Sequence, residues 1–295
     1  MKNSLKGFLM ILLSALLYGL NPLLAKSVYA CGGNPMTIAV CRMLFGVLFF
    51  GILHKISAPA APAVRPVRMP KLALSALGYV LTPILLTTSY YYLDSGLATT
   101  VHFVYPVLVL IGSILFCGKR LSGRTALCCA LSVLGVVCFY TPGGQISLPG
   151  IALALASAVA FASYVVSLEA TGLLDLPVFQ LSCWLCIFGA AAAILAALLS
   201  GQQVFCLTGS GWLIMSVYAL VASLAAAFFH KGENLIGSQK AALLSVFEPI
   251  TSVILGILVY NEKLTVKSGF GIVLILSSVC LLSLPDLLKK AASKQ

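Results

Sequence analysis

The chain has 295 residues, of which 61% are apolar and only 8% are Asp, Glu, Lys or Arg, with a formal net charge of +11. A soluble domain needs about a quarter charged residues to coat its surface, so a soluble enzyme, a disordered chain, a collagen and a coiled coil are excluded together. Long unbroken apolar runs also exclude an outer-membrane barrel, whose strands alternate, and leave an all-α polytopic membrane protein.

Met1 to Lys6 is a short basic leader into an apolar run that reaches about Ala25. The run is long, holds Asn21 and Pro22 and lacks a cleavage site, so it reads as a first transmembrane helix and not as a signal peptide. On a ruler of about twenty apolar residues per crossing, the spans in chain order are 5–25, 36–53, 72–92, 97–117, 124–141, 149–169, 177–199, 211–230, 239–260 and 265–284. Turn chemistry separates them at Cys31-Gly-Gly-Asn-Pro35, Ser57 to Pro70, Asp94-Ser-Gly96, Gly118 to Gly123, Thr141-Pro-Gly-Gly144 and Leu176-Pro177.

With the N-terminus in the cytoplasm, fourteen basic residues fall inside, and only Lys26, Lys263 and Lys267 fall outside; Arg42 lies within a span. That asymmetry is the positive-inside signal of a multi-pass membrane protein. It explains the basic excess without nucleic acid as a partner. An even number of spans returns the C-terminus to the cytoplasm. The partners expected are the lipid bilayer and a small-molecule substrate, with protons left open at Glu248, and the chain acting as monomer or homodimer.

Most of the ten cysteines lie in apolar runs, where a free thiol packs as a small hydrophobe. Cys183-Trp-Leu-Cys186 has no second thiol pair or histidine beside it, and His54, His102 and His230 fit no ligand spacing, so no metal is expected. No HExxH, Walker A or nucleophile-elbow motif occurs, which argues for no cofactor, no enzyme activity and no ATP-driven pump.

The chain repeats itself at an offset of 143: Gly7 pairs with Gly150, Ser14-Ala15 with Ser157-Ala158, Gly46 with Gly189 and Pro106 with Pro249. Cys117-Gly-Lys-Arg-Leu-Ser122 pairs with Tyr260-Asn-Glu-Lys-Leu-Thr265, and in each a hydroxyl residue opens the next span. The halves 1–143 and 144–295 thus each hold five spans. Five is odd, so the second half enters the membrane the other way up. Ten helices in two inverted five-helix repeats form a transporter architecture, with its site near the midplane between them.

Three segments carry a family resemblance: Pro35-Met-Thr-Ile-Ala-Val-Cys-Arg42, Lys240-Ala-Ala-Leu-Leu-Ser-Val-Phe-Glu-Pro249 and Gly256-Ile-Leu-Val-Tyr-Asn-Glu-Lys-Leu-Thr265. With the spans and the repeat, they make the chain resemble the drug/metabolite transporter superfamily, of the ten-helix type with two EamA domains. The chain departs from the pattern at Tyr105-Pro106, where the second half has Glu248-Pro249, and at Gly118-Lys-Arg120, where an acid is common. The resemblance implies a secondary transporter or facilitator working by alternating access, with efflux of amino acids or related metabolites. Multidrug efflux is the other transport reading. A membrane-embedded enzyme or a sensor is the reading from another class, but no clustered acid/base set and no long loop supports it.

On a helical period, Ala241, Ser245, Glu248, Ser252 and Gly256 share one face of the ninth span. Their repeat mates are Ala98, His102, Tyr105, Val109 and Ser113 in the fourth. Ser14, Tyr18, Asn21 and Ala25 form a similar stripe in the first span, and Ser157, Phe161, Tyr164 and Leu168 in the sixth. Small residues on such stripes are explained by close helix packing; Tyr18, Asn21, His102, Tyr105, Tyr164, Ser245 and Glu248 are the substrate-binding candidates. Glu248 lies near the bilayer centre, where a charge costs about 2.5–3.5 kcal/mol on insertion scales. It binds substrate or a coupling proton, or it holds a neighbouring helix near the Pro249 break; both readings stand. Arg42, Pro106 and Pro249 are the structural or gating candidates. Tyr91 and Tyr92 read as part of an interfacial aromatic belt.

Overall fold

The computed structural model describes residues 2–57, 69–117, 123–139, 147–173, 176–236, 244–245 and 247–292. The basic stretch 58–68, the loops 118–122 and 140–146, the tail 293–295 and the start of the predicted ninth span, including Ala241, lie outside the described residues.

Among the described residues, twelve helices follow one another without a strand: α1 (Lys2–Gly19), α2 (Asn21–Ala30), α3 (Pro35–Ser57), α4 (Met69–Ser89), α5 (Ser95–His102), α6 (Tyr105–Cys117), α7 (Gly123–Phe139), α8 (Leu148–Thr171), α9 (Val178–Ser200), α10 (Gly209–Ile236), α11 (Phe247–Tyr260) and α12 (Val266–Ala292). Seven helical stretches are long and apolar enough to cross a membrane, and the shorter apolar helices Ala126–Gly135, Phe247–Tyr260 and Val266–Ser278 fall on the remaining three predicted spans. The chain is a polytopic helical membrane protein.

Two spans expected as continuous are interrupted. The first divides into α1 and α2 at Leu20, just before Asn21 and Pro22, and the fourth divides into α5 and α6 at Phe103 and Val104, just before Pro106. Proline lacks an N–H and crowds the carbonyl four residues back, so a helix gives way ahead of it. Pro83 is tolerated inside α4, which runs through it from Met69 to Ser89. Helix starts follow local chemistry elsewhere. Asn34 Oδ1 accepts the Thr37 amide (2.9 Å) at the start of α3, and Thr265 Oγ1 accepts the Ser268 amide (3.1 Å) at the start of α12. Gly201, with φ 66, closes α9 in the left-handed conformation that a side chain would resist.

The packing obeys the exchange of the two halves. α4 lies against α8 and α1 against α10; α3 pairs with α9 and α7 with α12. Swapping each span for its mate turns the first pair into the second and leaves the last two unchanged. The contacts repeat at residue level. A Cβ at Gly46 would stand 2.6 Å from Cys186 Sγ, and one at its mate Gly189 would stand 3.0 Å from Met43 Sδ; Met43 and Cys186 are themselves mates. Gly7 meets Leu235 and Ile236, while Gly150 meets Tyr92 and Leu93, again mate for mate. Glycine at these crossings lets the helices close to backbone distance.

The interior is built from small side chains: Ala25, Ala39, Ala98, Ala154, Ala158, Ala193 and Ala225 are fully buried. Leu48, Leu115, Phe116, Leu198, Leu199 and Leu258 point outward and are largely exposed. On a soluble protein such a surface would aggregate; here it faces hydrocarbon. Tyr91 and Tyr92 are exposed at the end of α4, while Tyr90 turns inward and is buried.

Candidate functional site

The interruptions place polar groups where the helices meet. A proline leaves the carbonyl four residues before it without its helical N–H partner. Pro22, Pro83, Pro106 and Pro249 do this to Tyr18, Tyr79, His102 and Ser245 respectively. The Ser245 carbonyl recovers a donor from the Glu248 amide at 2.9 Å. Four spans thus carry a loosened backbone beside a polar side chain in mid-membrane.

The predicted residues gather into two groups. In the first, Arg42 of α3 lies against the Tyr218 hydroxyl of α10, and its charge acts on Tyr18 of α1, Tyr79 of α4 and Glu248 of α11. The Cys186 thiol of α9 faces Tyr79 and also feels Arg42. Arg42 comes from the first half and Glu248 from the second, yet among the described residues no ion pair within 4.0 Å joins them. Asn21 stands at the start of α2, one turn beyond Tyr18, and its buried Oδ1 has no hydrogen-bond partner among the described residues.

In the second group, His102, Tyr105 and Tyr164 form an aromatic column with Phe161. Ring centroids are 5.4 Å apart for His102 and Tyr105, 4.5 Å for Tyr105 and Phe161, and 5.6 Å for Phe161 and Tyr164. His102 Nδ1 is 2.8 Å from Ser157 Oγ, and Ser157 donates its own hydrogen to Ala154 O at 2.7 Å. The hydroxyl therefore accepts, and His102 Nδ1 carries the proton. Tyr79 joins the groups, since its ring lies 5.2 Å from that of Tyr164. Ser245 is buried one turn before Glu248, and Pro106 and Pro249 follow the site residues at their respective breaks.

Tyr79, Tyr218 and Cys186 are the members that sequence reasoning missed. They sit on spans three, eight and seven, outside the four stripes compared. The available signal was a phenol in mid-span with no interfacial explanation. The stripe residues Ser14 and Ser252 serve packing: Ser14 Oγ donates to Ala225 O (2.7 Å) and Ser252 Oγ to Thr99 Oγ1 (3.3 Å).

One guanidinium, one carboxyl and three phenols in an apolar bundle offer donors and acceptors to a small ligand bearing both charges. Among the described residues no cluster of histidine, cysteine or acid is arranged to hold a metal.

The EamA-like transporter family model matches residues 5–141 and again 148–284. The chain is 26% identical to the uncharacterized transporter YvbV of Bacillus subtilis (strain 168), over 94% of this chain and 92% of that protein. It is 27% identical to the uncharacterized inner membrane transporter YicL of Salmonella typhimurium, covering 96% and 97%. An uncharacterized transporter of Archaeoglobus fulgidus is 26% identical over 91% and 93%. A solved crystal structure with 17% sequence identity covers 95% of this chain and 96% of its own at a TM-score of 0.65, which is a likeness of fold.

Proposed function

Because the chain belongs to the EamA-like transporter family, we propose that it moves a small zwitterionic metabolite, an amino acid or a close relative, out across the cytoplasmic membrane of a bacterium. Transport proceeds by alternating access between the two five-helix halves, 1–143 and 144–295, each end of the site opening in turn. The observation that carries this reading is the pair Arg42 and Glu248, contributed by opposite halves and electrostatically coupled without a direct ion pair.

A guanidinium holds a carboxylate through paired donors, and a carboxylate receives an ammonium. A guanidinium and a carboxyl held apart among apolar helices leave hydrogen-bonding capacity that a bridging ligand satisfies at both ends. Tyr18, Tyr79 and Tyr218 supply hydroxyls around the guanidinium, and Asn21 supplies an open carbonyl oxygen. His102, Tyr105 and Tyr164 wall the site on the side of α8, and Ser245 extends it on the ninth span. Pro106 and Pro249 mark the breaks about which the half-helices move.

The test is counterflow of labelled compounds into proteoliposomes holding the purified protein. Neutral amino acids are expected to exchange, while dicarboxylates, simple amines and lipophilic cations are not. Arg42→Lys and Glu248→Gln are each expected to raise the half-saturating concentration about tenfold or more, the cost of weakening one charged hydrogen bond. Equal exchange of lipophilic cations by wild type and both variants would sink the zwitterion reading.

A further inference from the structure

Away from the central site, one end of the bundle is held by a single carboxylate. Glu262 lies just beyond α11, in the Gly256 to Thr265 segment whose repeat position is legible in the sequence but which transport chemistry does not use. Its Oε1 accepts from Lys26 Nζ (2.6 Å), from the Ser95 amide (2.9 Å) and from Ser95 Oγ (2.7 Å). Its Oε2 accepts from the Gly96 amide at 3.3 Å. The Glu262 amide donates back to Gly256 O at 3.1 Å, and the carboxylate folds over Gly256, where any Cβ would collide with Oε2. The neighbouring Tyr260 hydroxyl donates to Leu23 O at 2.9 Å, and Lys26 Nζ sits 4.9 Å from the centre of the Tyr260 ring.

The elements tied together are α2, through Lys26 and Leu23; α5, through the amides of its first turn; and α11, through Gly256 and Tyr260. α2 and α5 each belong to a span with a proline-marked break near the central site, at Leu20 and at Phe103 and Val104, while α11 begins at Phe247 with Pro249 in its first turn. α2 and α5 are therefore half-helices hinged at a break and fastened away from it, and α11 is fastened at its C-terminal end. The Glu262 side chain is only 8% exposed and that of Lys26 21%, so water competes weakly for these contacts.

We infer that Glu262 is the pin of a latch that keeps this end of the transporter shut, and that opening it frees α2 and α5 to swing about their breaks and releases the end of α11. The inference rests on membership of a transporter family and on this geometry, not on the substrate. Releasing the pin breaks four hydrogen bonds at once, so α5 parts from α2 and α11 in one step, while the Tyr260 hydroxyl still donates to Leu23 O between α2 and α11. Gly256 is needed because only a missing side chain leaves room for the carboxylate to reach α5.

Hydrogen–deuterium exchange of the protein in lipid nanodiscs, without substrate, tests the latch. Glu262→Ala removes every acceptor of the pin and is expected to speed exchange of the amides in α2 and α5 about tenfold or more, with α8 unchanged. Lys26→Gln leaves the bonds to Ser95 and Gly96 in place, so faster exchange is expected in α2 alone. This second variant decides the matter if Glu262→Ala loosens every helix. Wild-type exchange in α2 for both variants, or faster exchange in Lys26→Gln spread evenly over all helices, would overturn the latch. Neither result bears on the zwitterion reading, which counterflow tests separately.

Discussion

At the scale of single residues, Glu262 and Asp94 titrate in opposite senses at the same end of the molecule. Burial pushes the Glu262 carboxyl up, but Lys26 and the two Ser95 donors outweigh it and hold it below its ordinary 4.5. Its carboxylate therefore adds stability that is present above that value and is lost as the pH falls through the lowered one. Asp94 is pushed above its ordinary 3.8, by burial first and by the Glu262 charge second, so its contribution is present at low pH and fades as the pH rises. In an Asp94→Asn background, thermal unfolding should move to lower temperature as the pH drops from about 5 to about 3. Adding Glu262→Gln should flatten that dependence; a slope that survives the second substitution would place its source elsewhere.

Glu248 is the other informative carboxyl. A proton carrier needs a route on which to pass its proton, and the charged neighbour acting on Glu248 is Arg42, which holds its proton throughout. The expectation is facilitated movement down the substrate's own gradient. A pH step imposed across wild-type proteoliposomes should drive no concentrative uptake. Accumulation that appears in wild type and disappears in Glu248→Gln would show instead that this carboxyl couples transport to protons.

At the scale of elements, the crossing of α3 and α9 depends on Gly46 and Gly189, each facing a sulfur-bearing side chain of the other helix. Gly46→Val forces a methyl group into the Cys186 thiol, and overpacking of this kind costs about 1–3 kcal/mol. Cys186→Ala removes the obstructing sulfur, so the double variant should regain most of the lost thermal stability. The repeat predicts the same outcome for Gly189→Val with Met43→Ala. If the second substitutions rescue nothing, the close approach is not what the glycines provide. The broken helices follow the same local logic. Pro22 and Pro106 are visible in the sequence as residues that weaken a helix, yet Pro83 does so without a break. Pro83 lies deep inside α4, which packs along both α8 and α9, and that packing holds the helix whole.

At the scale of the whole molecule, the charge asymmetry predicts orientation. Reporter fusions after the 57–70 segment and after Lys289 should read cytoplasmic, and fusions in 141–144 should read outside, because fourteen basic residues against three bias the loops. A cytoplasmic signal at 141–144 would be incompatible with five spans in the first half. The same orientation puts the Lys26–Glu262 latch at the outer face. At the repeat offset of 143, Lys26 and Glu262 correspond in sequence to Glu169 and Lys119, the same pair with its charges exchanged.

Span number, span order and the mate relation were written in the sequence, because hydrocarbon admits only long apolar segments whose backbone is satisfied internally, and because the repeat preserves Gly7, Gly46, Gly150 and Gly189 at crossings. Periodicity also marked Tyr18, His102, Tyr105 and Glu248 as residues with no packing reason to be polar. Which of them meet was decided only by the tertiary structure. Arg42 alone on its span could have turned to the interface by its long side chain; packing of α3 against α9 and α10 sets it among Tyr18, Tyr79 and Tyr218 instead. His102 and Tyr164 share the stripe logic of Tyr18, yet side-chain rings from α5, α6 and α8 interlock them into a separate column. Glu262 shows the limit most clearly. Its three partners lie at positions 26, 95 and 96, far along the chain, and no local period links residues that are brought together only when three helices end at the same face.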